Sequence, residues 1–207
     1  VVGATSVGKS TLLRRLLPAG QGPTVARFPG TTQAPLGWEL AEHGLILYDT
    51  PGLSPGDRLT DLLCPACAAL LVPARRLAGK LFPLAPGGAV LFGGFASFVL
   101  EEGPECVVLL YAGEEVRLHR TKTAKAERLL AEGPPWLTPR RCGTCSRLPF
   151  AHPVLVELKS GEDLAVAGLG WISLRGGPAA IRATVPVGVI WAKRPALFGP
   201  RNRGEVL

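Results

Sequence analysis

Apolar residues recur along this chain in two rhythms, and the change from one to the other divides it. At the start, Val1-Val2 reads as the end of a buried strand and residues 11–17 (TLLRRLL) as a short helix stopped by Pro18 and Gly20. Residues 21–35 are aperiodic and rich in Gly, Pro and Thr, which predicts a loop. Leu36–Leu40 and residues 45–48 read as two strands joined by Ala41-Glu42-His43-Gly44. Over 53–63 a loop passes into a helix, an apolar stretch occupies 68–72, and the run PLAPGG at 83–88 is the best boundary candidate. Beyond it the texture is β: 89–100, 106–111 and 116–119, then 154–158, 164–174 and 180–191. One helix-compatible segment, 121–131, interrupts them and ends before Pro134-Pro135.

The chemistry sits at the punctuation of the first part. Gly3-Ala4-Thr5-Ser6-Val7-Gly8-Lys9-Ser10, followed by Thr11, matches the phosphate-loop pattern G-x-x-x-x-G-K-[ST] between a strand and a helix. Gly3 and Gly8 allow backbone angles and close approaches that a side chain would block, so consecutive N–H groups can converge on a phosphate. The helix adds its positive end. Lys9 is then expected along the β and γ phosphates, and the Ser10 hydroxyl on Mg²⁺. About forty residues on, an apolar strand leads into Asp49-Thr50-Pro51-Gly52, a D-x-x-G sequence. There the Asp49 carboxylate would hold Mg²⁺ through water and the Gly52 N–H would reach the γ-phosphate. Between them, Phe28-Pro29-Gly30-Thr31-Thr32 lies where a first switch supplies a threonine to Mg²⁺ and γ-phosphate, and Thr32 is the residue expected to do so. Lys9, Thr32 and Gly52 are thus the expected catalytic set, and Ser10, Thr32 and Asp49 the Mg²⁺ set.

Two features depart from the ordinary GTPase pattern. After D-x-x-G, where Ras-like enzymes place the Gln that orients water, stands Leu53, which has no hydrogen-bonding group. No [NT]-K-x-D base-recognition motif follows Gly52: Thr121-Lys122-Thr123-Ala124 lacks the Asp. Either the nucleotide is not GTP or the motif lies upstream of Val1. The chain begins without Met and within a residue or two of the phosphate loop, which favours the second.

Composition narrows the class. With 207 residues, 47% hydrophobic and 19% charged, the chain is globular. No apolar run reaches the roughly 18 residues that span a bilayer, which predicts a cytoplasmic or organelle-matrix protein and no membrane partner. The formal charge of +7 is uneven: eight Lys/Arg against two Glu from 117 to 147, and six against one from 175 to 207. That asymmetry fits a polyanion, RNA first, or a solvated basic surface. His119, Arg120 and Lys122 form the densest basic patch, and Trp171, after Gly168 and Gly170, is either a buried aromatic or a base-stacking platform. Cys64-Pro65-Ala66-Cys67 and Cys142-Gly143-Thr144-Cys145 each have the spacing of half a zinc site. About 75 residues separate them, so reduced structural cysteines are preferred to a Cys₄ Zn²⁺ site on Cys64, Cys67, Cys142 and Cys145.

Taken together, these motifs resemble those of the YqeH family of circularly permuted ribosome-assembly GTPases, in which base-recognition motifs precede the phosphate loop. The resemblance runs through Gly3 to Ser10, Phe28 to Thr32 and Asp49 to Leu53, then Leu118-His119-Arg120-Thr121-Lys122, Gly168-Leu169-Gly170-Trp171-Ile172 and Val185-Pro186-Val187-Gly188-Val189. It implies an α/β fold: a partial P-loop GTPase domain over 1–63, a connecting segment over 64–84 and a β-rich α+β C-terminal domain over 85–207 that binds RNA or protein. It implies GTP/GDP and Mg²⁺ as ligands, GTP hydrolysis, and pre-ribosomal RNA or the small ribosomal subunit as partner. Leu53 agrees with the hydrophobic residue such enzymes carry there. Several use K⁺ held partly by a phosphate-loop Asn, where this chain has Ser6. Neither cysteine pair matches the family's N-terminal zinc segment. Two other readings stay open: an RNA- or protein-binding fragment with little nucleotide affinity, and a P-loop ATPase.

Overall fold

The computed structural model describes residues 1–3, 8–18, 20–23, 34–40 and 43–199. They divide into two compact units, Val1–Gly56 and Asp57–Leu207.

In the first unit, helix α1 (Lys9–Leu16) begins two residues before the expected start at Thr11 and ends one residue before Leu17. Gly8 precedes it with φ 89°, a left-handed conformation that strains any residue with a Cβ. Arg14 and Arg15 occupy its last turn, where positive charge complements the carbonyl end of the helix dipole. Strands β1 (Leu36–Leu40) and β2 (Leu45–Asp49) pair antiparallel with Leu36 opposite Asp49, which puts Asp49 at the end of the ladder. Val1-Val2 is not in a strand, and Val2 is 73% exposed. It lies beside the end of β2, where the Val1 nitrogen donates to Tyr48 O and Thr50 Oγ1 donates to Val1 O.

The second unit opens with two short helices, α2 (Leu59–Leu62) and α3 (Pro65–Ala69), and then turns to strands. Among the described residues these form two antiparallel five-stranded sheets. One runs β12 (Trp191–Pro195), β9 (Glu162–Val166), β10 (Gly170–Arg175), β6 (Cys106–Ala112), β3 (Lys80–Leu84); the other runs β7 (Leu118–Lys122), β4 (Gly88–Phe92), β5 (Ala96–Glu102), β11 (Ala179–Thr184), β8 (Val154–Leu158). Period-two alternation assigns the faces. From β4, Val90 and Phe92 join Phe98 and Leu100 of β5 and Val108, Leu110, Ile172 and Leu174 of the other sheet in one core. Ala89, Leu91 and Val99 face the opposite way, onto Ala126, Leu129 and Leu130 of helix α4 (Thr123–Glu132). The result is helix on sheet on sheet. Gly133 (φ 55°) closes α4 by donating to Leu129 O.

Three segments expected as continuous strand runs contain breaks. A turn at 93–95 splits 89–100 into β4 and β5, and Gly168 (φ 77°) splits 164–174 into β9 and β10. Residues 185–190 lie outside the strands, so 180–191 supplies β11 and only the start of β12. At the first two breaks the flanks, Phe92 and Ala96, then Val166 and Leu169, are apolar and buried, so hydrophobicity alone carries no mark of where the chain turns; the third is flanked by the half-buried Thr184 and Trp191. Residues 64–84, expected as a connecting segment, contribute α3, β3 and the core residues Cys67, Ala68, Leu71 and Leu84. The β-rich α+β character expected of the second part is what the structure has.

Candidate functional site

Two turns build the first site. β2 is apolar until its last residue, and Asp49 is fully buried at its end. α1 starts at Lys9 because Gly8 turns the chain there, and Leu12 N–H closes the first turn on Gly8 O at 2.8 Å. The Ser10 hydroxyl donates to Asp49 Oδ2 at 2.7 Å across 39 residues of sequence. A hydroxyl and a carboxylate, both hard oxygen donors, therefore share one point at the start of a helix, and an oxygen-preferring cation such as Mg²⁺ fits that donor set. Lys9 Nζ donates to Gly3 O at 3.0 Å, so the ammonium is held at the first glycine of the motif. Gly3 O also accepts the Leu53 N–H at 3.1 Å, which joins the D-x-x-G turn to the loop. The Leu53 side chain is 63% exposed. Thr11 is exposed on α1, and Gly52 is half-buried between Asp49 and Leu53. Ala4, Thr5, Ser6, Val7 and Thr32 lie outside the described residues.

In the second unit the basic patch divides. β7 pairs with β4 so that His119 lies opposite Leu91, on the α4 side of the sheet, where its ring meets Trp136 edge-on at 4.7 Å. Arg120 is on the other face and donates to Pro83 O, while Lys122 is exposed at the start of α4. A residue the sequence reading passed over completes the cluster: the Arg117 guanidinium lies 5.8 Å from the Trp136 ring, and Trp136 is 40% exposed. Nothing in the spacing of 117, 119 and 136 points to this; the fold brings the turn after α4 back over the start of β7. His119 is held below the ordinary histidine pKa, first by burial, then by the charges of Arg117 and Lys125. Trp171 is half-buried and engaged within the protein: it stacks on Tyr111 at 4.6 Å and lies under Arg194 at 5.4 Å.

The two cysteine pairs, remote in sequence, meet. The sulfurs of Cys64, Cys67, Cys142 and Cys145 all lie within 4.8 Å of one another. The preference for separate structural cysteines rested on their distance along the chain, which the fold cancels.

Comparison with known proteins gives the two parts separate matches. A family described as 50S ribosome-binding GTPase matches residues 1–71, and one described as YqeH-like, C-terminal, matches residues 105–197. The YqeH protein of Bacillus subtilis (strain 168) is 31% identical over 91% of this chain and 53% of its own length. NO-associated protein 1, chloroplastic/mitochondrial, of Arabidopsis thaliana is 28% identical over 84% of this chain and 38% of its own. A putative nitric oxide synthase of Oryza sativa subsp. japonica is 24% identical, with 84% and 37% covered. The chain thus spans about half, or less, of the length of the curated relatives it matches.

Proposed function

The chain belongs to the YqeH family of GTPases, and from that premise we propose that it carries the phosphate-binding and C-terminal parts of a GTP-hydrolysing ribosome-assembly factor. The observation that carries this reading is the 2.7 Å hydrogen bond from Ser10 Oγ to Asp49 Oδ2, which joins the phosphate loop to D-x-x-G at one cation-sized point.

The proposed roles follow from that arrangement. Ser10 and Asp49, with Thr32, would hold Mg²⁺, which when bound neutralises charge on the β and γ phosphates. Residues 3–8 supply backbone N–H groups to the phosphates, and Thr11 completes the loop. Lys9 exchanges Gly3 O for phosphate oxygens, and the Gly52 N–H reports the γ-phosphate to the D-x-x-G turn. Because Gly3 O also holds Leu53 N–H, loss of the γ-phosphate is felt at the turn through the same carbonyl. Leu53 offers no water-orienting atom, so the attacking water is positioned by other groups. Ser6, in place of an Asn, makes K⁺ against Na⁺ a variable of the same assay.

The partner side rests on Arg117, His119, Lys125 and the exposed Trp136, a cationic surface with an aromatic face suited to RNA. The small subunit is proposed from the YqeH resemblance, whereas the description of the GTPase family carries the large one; depleting the protein and identifying which precursor subunit accumulates separates them. Among the described residues no helix is long and apolar enough to cross a membrane, and we propose cytoplasm or organelle matrix as the compartment.

GTP turnover of the intact protein with and without Lys9→Ala tests the nucleotide reading. Loss of this phosphate contact is expected to cut turnover by roughly 10²-fold or more. Undiminished turnover overturns the assignment, and faster turnover of ATP than GTP points to the ATPase reading. The second reading, a non-catalytic RNA- or protein-binding module, is favoured by the Arg117–Trp136 pair; it predicts salt-sensitive RNA binding indifferent to GTP.

A further inference from the structure

We propose that Cys64, Cys67, Cys142 and Cys145 form a structural zinc site that staples the start of the second unit to the segment between α4 and β8. The proposal is independent of the nucleotide chemistry and rests on local geometry. In each pair the first cysteine precedes a helical turn and the second lies in it: Cys64 is the residue before α3, with Cys67 inside, and Cys142 precedes the 3₁₀ turn Cys145–Arg147. A turn of this kind brings thiols three residues apart to one side and leaves the early N–H groups free to bond sulfur.

The distances fit a single tetrahedral ion. Cys64 Sγ and Cys142 Sγ are 3.7 Å apart, and no two of the four sulfurs exceed 4.8 Å. A tetrahedron with Zn–S bonds of about 2.3 Å has edges of about 3.8 Å. A disulfide requires about 2.05 Å, and all four cysteines are free thiols. Backbone amides already face the sulfurs, as thiolate ligands require: Cys64 N–H donates to Cys145 Sγ at 3.2 Å and Cys145 N–H to Cys142 Sγ at 3.5 Å.

Four protein sulfurs fill a tetrahedron and leave no open position, so the ion is structural. The fold has a use for it. Residues 134–153 contain no strand or α-helix, yet Cys145 sits in the main core beside Cys67, Ala68 and Leu71. A cross-link from the 64–67 turn fixes the 142–147 part of a loop of that length.

The test compares the zinc content of the intact protein, purified without chelator, with that of Cys142→Ser and Cys142→His. The serine variant should carry one zinc fewer per chain than wild type, a difference unaffected by any zinc held elsewhere; the histidine variant, which restores a ligand, should retain it. Because Cys142→Ser could fail to fold, alkylation of the wild type, read residue by residue by mass spectrometry, gives a second measure. Cys142 is exposed, so its thiol is open to reagent once no ion holds it, and chelation should speed labelling of Cys142 by roughly tenfold or more. Equal zinc in a folded Cys142→Ser protein, iron in place of zinc, or labelling of Cys142 indifferent to chelator overturns the proposal.

Discussion

In the first unit chemically capable residues stand in fixed short motifs, and among its described residues little apolar surface is buried around them: Leu13 and Leu17 are covered, whereas Leu12, Leu16, Leu36, Leu45, Ile46 and Tyr48 are exposed. In the second unit the proportions reverse. Phe92, Phe95, Phe98, Leu100, Leu110 and Leu158 are wholly buried, and the residues that could do chemistry, four cysteines and an Arg–Trp–His cluster, come together only through that packing. A site spelled by neighbouring residues needs only a turn to hold it, while a site assembled from distant ones needs a core.

The contrast is most easily broken by truncating one apolar residue in each unit. Phe98→Ala empties a fully buried position between the sheets and should cost about 3–5 kcal/mol in denaturant unfolding. Leu16→Ala, at a half-exposed place on α1, should stay within about 0.5 kcal/mol. A comparable loss at Leu16 in the intact protein would mean that the exposed face of α1 is covered there, and the contrast would fail.

Asp49→Asn sharpens the comparison from the side of chemistry. The amide keeps the shape of the carboxylate and can still accept from Ser10 Oγ, but it removes the negative charge that a cation needs. Mg²⁺ affinity measured in the presence of GTP should fall by roughly 10–100-fold, the usual cost of losing a carboxylate that supports a metal. Unfolding stability should move much less than for Phe98→Ala. If stability falls as far as cation affinity, Asp49 is a structural group and the first unit is held together by its site.

What could be read from the sequence follows the same division. Gly3, Gly8, Lys9 and Ser10 could be read as one turn, and Asp49 with Gly52 as another, because each motif constrains neighbouring backbone; that the two meet, Ser10 on Asp49 across 39 residues, is given by the fold and not by spacing. The β-rich second part was legible from alternation, but its turns at 93–95 and 168 were not, since the residues flanking them are uniformly apolar. The cysteine cluster was half legible: each C-x-x-C announced a two-ligand turn, and only the packing of α3 against the 142–147 segment could join them. Trp136 carried no signal, because its partner His119 belongs to a strand whose register against β4 sets which face its side chain takes, and Arg117 stands just before that strand.

The smallest expected effect is at His119, and it tests whether this assembled surface is electropositive. Burial first, then Arg117 and Lys125, hold its pKa below the ordinary 6.5. The unfolded chain therefore binds the proton more readily than the folded one. As pH falls through about 6.5 toward the folded value, protonation favours the unfolded state and a small part of the stability is lost; above 6.5 the group is neutral in both states and contributes no pH dependence. Following the His119 ring protons by NMR against pH should show a midpoint below 6.5 that rises in Arg117→Gln. Adding RNA at low salt should raise it as well, because phosphates beside Arg117 and Lys125 cancel the repulsion that disfavours the imidazolium. A midpoint unmoved by Arg117→Gln would leave burial as the cause. A midpoint unmoved by bound RNA would take His119, and with it the Trp136 face, out of the proposed RNA surface.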